Sequence, residues 1–211
     1  MAVLVAQVKK NKQEIAAHFM ISLAYRLQTL SVKDCRVWLH DNEWQYCLTL
    51  SNKRAREFCN GRALIRQLLL QQSGVAVAEI QITLPSAQAP AMYVGGQAVA
   101  LSISHSRQAV AVVYSPQQPV GVDLEYIKVR DFVQLSGQFA ALKTATDSAT
   151  FYQSWTAAEA YSKFSKQPLL AVLAQPLPQN IQLTHLPLPG YMLCLCYQHA
   201  DTKLKITGDV P

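Results

Sequence analysis

The segment from Ser51 to Gly74, SNKRAREFCNGRALIRQLLLQQSG, constrains the fold more than any other stretch of the chain. It opens on a serine suited to capping a helix, carries apolar residues at helical spacing, and stops at a glycine suited to a left-handed C-terminal residue. The spacing predicts a helix of about five to six turns. Strand signals follow it. AEIQITL alternates as a half-buried strand does, and AVALSIS and QAVAVVYS read as two more. Between them the stretch from Pro85 to Gly96 holds Pro85, Pro90, Gly95 and Gly96 and reads as loop.

A turn-rich SPQQP near residue 116 marks a seam, so residues 1–116 and 117–211 are expected to form two α+β halves. The second half gives a strand at VGVDLEY, a short helix near 130–142 and a longer one near 149–166. A Pro-rich connection then leads to late strands around NIQLTH and YMLCLCY. The first fifty residues carry weaker signals: EIAAHFMISLAYRL reads as a helix and CRVWLH as a strand, with Trp38 and Trp44 as core residues. Half of the 211 residues are apolar and 15% are charged, which excludes a disordered chain and lets a sizeable core form without cross-links.

Five cysteines without a C-x-x-C spacing give neither a disulfide framework nor a usual zinc pattern, and a reducing compartment is expected. Cys194 and Cys196 share a strand face, where small buried residues are commoner than a pair of metal ligands. The N-terminus places an apolar run before its basic residues, the reverse of a secretory signal. No segment reaches the about 20 apolar residues that span a bilayer, so a cytoplasmic protein with no membrane partner is expected. The net charge of +6 gathers partly at Lys9, Lys10 and Lys12 and at Lys53, Arg54 and Arg56. Charge alone does not choose among acidic proteins, phosphate ligands and nucleic acid, and no nucleic-acid recognition motif accompanies it.

Three short constellations can carry chemistry. In VGVDLEY, Asp123 and Glu125 stand two apart, so on a strand both carboxylates project from one face; a hard divalent cation fits between them, and a solvent-facing strand edge is the plain alternative. In FYQSWTAAEAYSKF, Glu159 and Lys163 stand four apart on one helical face, as a surface ion pair or as a carboxylate and a cation beside a metal–diphosphate site. In SISHS, His105 ends a strand between two serines, where it serves either as a structural residue or as a donor to phosphate.

SHS, then GVDLE with Asp123 18 residues past His105, then W-x-x-x-E-A-x-x-K with Glu159 a further 36 on, together resemble the signature of the Sfp-like 4'-phosphopantetheinyl transferases. The upstream FCNGRALIRQLL is similar to that family's arginine-containing helix, and the resemblance covers about Lys53 to Lys166. It implies two similar α+β halves related by a pseudo-twofold axis, with coenzyme A in the cleft between them. It implies Mg²⁺ on Asp123, Glu125 and Glu159, and phosphate contacts from His105 and Lys163. Ser104, Lys53 and Arg62 would lie near the nucleotide end. The implied reaction is attack by a carrier-protein serine on the phosphorus that bears pantetheine, releasing 3',5'-ADP; Glu159 or a water on the metal would take the serine proton. The implied partner is an acidic apo carrier protein of fatty-acid, polyketide or nonribosomal-peptide synthesis, loaded by a monomeric enzyme.

Two positions depart from the family pattern. Ala158 stands where a lysine usually precedes the helical glutamate, and Ala89, in QAP, stands where a lysine often contacts phosphate. An active transferase and a non-catalytic paralogue that binds coenzyme A or a carrier protein are the two resulting readings. The three retained carboxylates and Lys163 favour the transferase. Helical geometry places position 158 on the flank of the Glu159–Lys163 face, from which a lysine is expected to reach the site and raise the rate about tenfold.

Overall fold

A computed structural model describes residues 20–86, 89–129 and 132–210. The chain runs β1 (Met20–Arg26), α1 (Val32–Cys35), α2 (Asp41–Leu48), α3 (Asn52–Ser73), β2 (Ile80–Ile82), β3 (Met92–Val94), β4 (Gln97–Ser106) and β5 (Ala109–Ser115). It continues with β6 (Gly121–Tyr126), α4 (Phe132–Gln138), α5 (Ser148–Ser165), α6 (Leu169–Leu173), β7 (Gln182–Leu188), β8 (Tyr191–Tyr197) and β9 (Lys203–Thr207). This is a mixed α+β protein with two sheets, a six-stranded one in the order β2-β3-β4-β5-β1-β9 and a three-stranded one in the order β6-β8-β7.

Alternation along the strands sets the layers. Ile21, Leu23, Ala109, Ala111 and Val113 of the large sheet meet Val122, Leu124, Leu193 and Leu195 of the small one in a shared core. Their alternate neighbours Ala24, Val110 and Val112 pack on Leu64, Ile65, Leu68 and Leu69 of α3. On the far side of the small sheet, Cys194 and Cys196 pack on Ala157 and Ala160 of α5. The molecule is therefore layered α3, large sheet, small sheet, α5, with β5 and β8 buried along their whole length. β9 pairs parallel with β1, so the last strand of the second half completes the sheet of the first. Arg26 fastens that return, its Nε donating to the Val210 carbonyl at 2.6 Å.

The long helix forms as its sequence requires and ends at Gly74 in the left-handed conformation, φ 67°. Ser51 occupies the N-cap position with an extended backbone, yet its side chain makes no capping bond. Polar residues inside the helix serve an ion cluster: Glu43 of α2, 1% exposed, accepts from Arg62 Nε at 3.0 Å and from Arg66 Nη1 at 2.7 Å. Arg66 also donates to the carbonyls of Trp38 and Ile80, which binds the small helical cap and β2 to α3.

Three readings of the first half are corrected. Residues 20–26 form the strand β1 and not a helix, because β5 and β9 pair with its two edges while the small sheet and α3 cover its two faces; residues 14–19 and the group Lys9, Lys10 and Lys12 lie outside the described residues. CRVWLH is not a strand: α1, capped by Ser31 on the Asp34 N–H, runs into a 3-10 turn over Arg36–Trp38, and only Leu39 and His40 are extended. Within the stretch read as loop, Met92–Val94 is a strand, and Gly95 and Gly96, both at positive φ, make the two-residue turn of a β3–β4 hairpin.

Gly121, the first residue of β6, fixes the distance between β6 and α5. A Cβ there would collide with the Ala160 carbonyl and stand 2.7 Å from the Phe164 N. Both are backbone atoms that cannot swing away. Gly121→Ala is expected to lower stability by about 3 kcal/mol, at the upper end of overpacking costs. Gly137→Ala in α4, where nothing lies within 4 Å of the new methyl, is expected to raise it by about 0.5–1 kcal/mol. Urea unfolding of both variants checks the contrast.

Candidate metal centre and the adjoining anion pocket

β6 is bounded by β8 along one edge and reaches the end of its sheet at the other. Val122 and Leu124 fill the core between the sheets, so Asp123 and Glu125 project from the opposite face, towards α5. That helix presents Glu159 and Lys163 one turn apart. One oxygen from each of Asp123, Glu125 and Glu159 lies within 4.8 Å of the others, so the three predicted carboxylates do converge. Ligands trans to one another about a Mg²⁺ ion stand about 4.2 Å apart, so a small side-chain rotation would close the group on a cation.

Acid clusters are common at surfaces, but Asp123 is 1% exposed. Its Oδ1 accepts from Ser104 Oγ and Lys163 Nζ, both at 2.8 Å, while its Oδ2 is buried without a partner. An orphaned buried carboxylate oxygen is costly unless a proton or cation reaches it. Glu159 bears the same signature: burial first, then the charge of Asp123, pushes its pKa up to about 8, against the opposing pull of Lys163. The donor set, all oxygen and with one buried orphan, fits a hard divalent cation.

Lys163 lies at the centre of the network. Its Nζ donates to Ser104 Oγ at 3.0 Å, to the Val122 carbonyl at 3.0 Å and to Asp123 Oδ1, which uses all three of its hydrogens. Ser104 Oγ is saturated as well, since it donates to Asp123 and accepts from Lys163 and from the Leu124 N–H. Its hydroxyl thus serves the carboxylates.

A cavity of about 280 Å³ opens beside this centre, lined by Thr29, Asn52, Lys53, Arg56, Glu57, His105, Arg107 and Ala109. His105 shares β4 with Ser104, and consecutive residues of a strand project to opposite sides, so one strand end touches both sites. Burial pulls the His105 pKa down to about 4, leaving a neutral ring; a hydrogen bond to the Glu57 backbone orients it, and Nε2 is shielded from solvent without a partner. Lys53 lies on the rim, 3.8 Å from Glu57. Arg62 does not line the cavity. It is 3% exposed, held by Glu43 and the Thr83 carbonyl, and burial pulls its pKa down to about 10.

Of the basic group Lys53, Arg54 and Arg56, the cavity takes Lys53 and Arg56, and sequence reasoning missed Arg107. Arg107 begins the two-residue turn between β4 and β5, where its φ of 54° is a conformation that favours glycine. Its guanidinium stacks on Tyr126 at 3.7 Å. An arginine at such a turn is the signal that could have drawn attention to it.

Ala158 lies away from the site. It is fully buried, packed with Phe151, Tyr152, Leu142 and Met192, because the flank of the Glu159–Lys163 face is the one that α5 turns to its own core. The expectation that a lysine there would reach the metal centre and quicken the reaction is therefore corrected. Ala89 is an exposed loop residue. Cys194 and Cys196 are buried, and burial pushes the Cys196 thiol up to about 12, as suits packing residues. No protein-family model and no curated protein matches the chain.

Two outcomes follow from this geometry. A carboxyl whose folded pKa is raised gives stability that is present below its unfolded value near 4.5 and lost as pH rises through about 8. A divalent cation binds the ionised form, so Mg²⁺ is expected to raise the melting temperature more at pH 8.5 than at pH 5.5, and Glu159→Gln is expected to reduce that difference. Separately, Ala158→Lys places a charge among apolar side chains and is expected to destabilise the chain by several kcal/mol, about 3 or more. Scanning calorimetry reads both.

Proposed function

We propose that this chain is a 4'-phosphopantetheinyl transferase, moving the phosphopantetheine of coenzyme A onto a serine of an acidic apo carrier protein. The observation that carries the reading is the convergence of Asp123, Glu125, Glu159 and Lys163 beside a cavity lined by Lys53, Arg56 and Arg107. A ligand that carries a diphosphate and a separate phosphate on the same ribose suits such a pair of sites. In this reading the two halves are related by a pseudo-twofold axis, coenzyme A occupies the cleft between them, and Mg²⁺ is the cation.

Asp123, Glu125 and Glu159 would hold the cation, which supplies charge neutralisation at the diphosphate oxygens when bound. Lys163 would exchange one of its three internal hydrogen bonds for a phosphoryl oxygen and stabilise the charge that develops there. Lys53, Arg56 and Arg107 would bind the nucleotide phosphate by charge. His105, which lines the same cavity, would lie beside that phosphate. Glu159, whose affinity for a proton is raised by burial and by Asp123, is the proposed acceptor of the serine proton. The basic surface of the chain would steer an acidic carrier to the site.

The test is mass spectrometry of a panel of apo carrier proteins incubated with the chain, coenzyme A and Mg²⁺. The phosphopantetheine adduct is expected on at least one carrier, and Asp123→Ala and Glu159→Ala are each expected to lower its rate by 10²-fold or more, on the order of 3 kcal/mol. Retained coenzyme A binding with no adduct on any carrier would instead establish a non-catalytic paralogue.

A further inference from the structure

The free edge of β6 is closed by side chains where a neighbouring strand would ordinarily stand. Ser102, Ser104 and Ser106 alternate along β4, so their hydroxyls share one face. They accept in turn from the N–H groups of Val122 at 3.1 Å, Leu124 at 3.1 Å and Tyr126 at 3.0 Å. These are alternate residues of β6 and form its outward row of donors; the intervening residues face β8. The hydroxyls make a ladder between two strands of different sheets.

The three rungs differ in where the hydroxyl hydrogen goes. Ser104 donates to Asp123 Oδ1 at 2.8 Å, and Ser106 donates to Glu125 Oε2 at 3.2 Å. Among the described residues, Ser102 reaches no carboxylate. We infer that Ser104 and Ser106 are positioning residues for the metal centre, their hydroxyls fixing the rotamers of Asp123 and Glu125 while Ser102 sets only the register of the strands. One atom does both tasks because the hydroxyl accepts from the peptide that follows the acid and donates to the acid itself. A carboxylate held by such a hydrogen bond enters the cation's shell already oriented, and losing a partner of this kind typically lowers metal affinity about 10–100-fold.

This inference rests on the metal centre proposed above, and the three serines separate the two ideas. Mn²⁺ binding, followed by electron paramagnetic resonance, and thermal melting are measured for the wild-type chain and for Ser102→Ala, Ser104→Ala and Ser106→Ala. All three variants lose a ladder hydrogen bond and are expected to melt lower. Only Ser104→Ala and Ser106→Ala are expected to bind Mn²⁺ more weakly, by about tenfold or more, with Ser102→Ala unchanged and Ser106→Thr restoring affinity. If Ser104→Ala fails to fold, Ser106→Ala at the less buried rung decides. Equal affinity across the three alanine variants and wild type overturns the positioning role and leaves the metal centre standing. A wild-type chain that binds no Mn²⁺ removes both.

Discussion

Strand β6 is enclosed on four sides, and the candidate site exists because each side is closed by a different means. One face is sealed by the apolar core between the sheets, and one edge is paired with β8. The other edge is closed by serine hydroxyls and by Lys163, which caps the Val122 carbonyl. The remaining face meets α5, which can approach only because Gly121 has no side chain. An edge strand with open donors invites pairing with another chain. Here polar side chains satisfy that edge and at the same time reach the carboxylates, so the device that stabilises the seam also shapes the chemistry.

The sequence made the periodic parts of this arrangement legible. A two-residue spacing put Asp123 and Glu125 on one face of a strand, and a four-residue spacing put Glu159 and Lys163 on one face of a helix; both local rules survive folding because the elements that carry them are regular. The long helix and its glycine stop were readable for the same reason. What could not be read depends on partners distant in the chain. β1 looked helical because its partners begin at residues 110 and 203, and long-range pairing overrode local spacing. Arg62 looked like a ligand residue because the acid that holds it, Glu43, lies 19 residues earlier on another helix.

The same limit explains Ser104 and Ala158. SHS suggested hydroxyls facing a ligand, whereas the ladder shows that Ser104 has its donor and both acceptor positions taken within the protein. Helical angles correctly placed position 158 beside the face of Glu159. They could not say that this flank is covered, since the residues that cover it include Leu142 before the helix and Met192 on β8. A flank is a direction, and burial depends on what stands in it.

Charge balance ties the two sites together. Among the described residues, Asp123, Glu125 and Glu159 gather beside Lys163, an all-oxygen group that suits a divalent cation. Burial and the charge of Asp123 act in the same direction on Glu159, both raising its affinity for a proton. A diphosphate ligand, on the reading proposed here, adds negative charge that the balanced centre cannot absorb alone. The cavity on the other side of β4 offers Lys53, Arg56 and Arg107 against Glu57, together with His105, whose ring burial keeps neutral. The centre and the cavity are thus unequal in sign, one favouring a cation and the other an anion, and β4 is the strand that holds them side by side. A ligand that carries its charge at two separated places gains from both only if that strand end stays fixed, and the Ser104 and Ser106 hydroxyls hold it to β6.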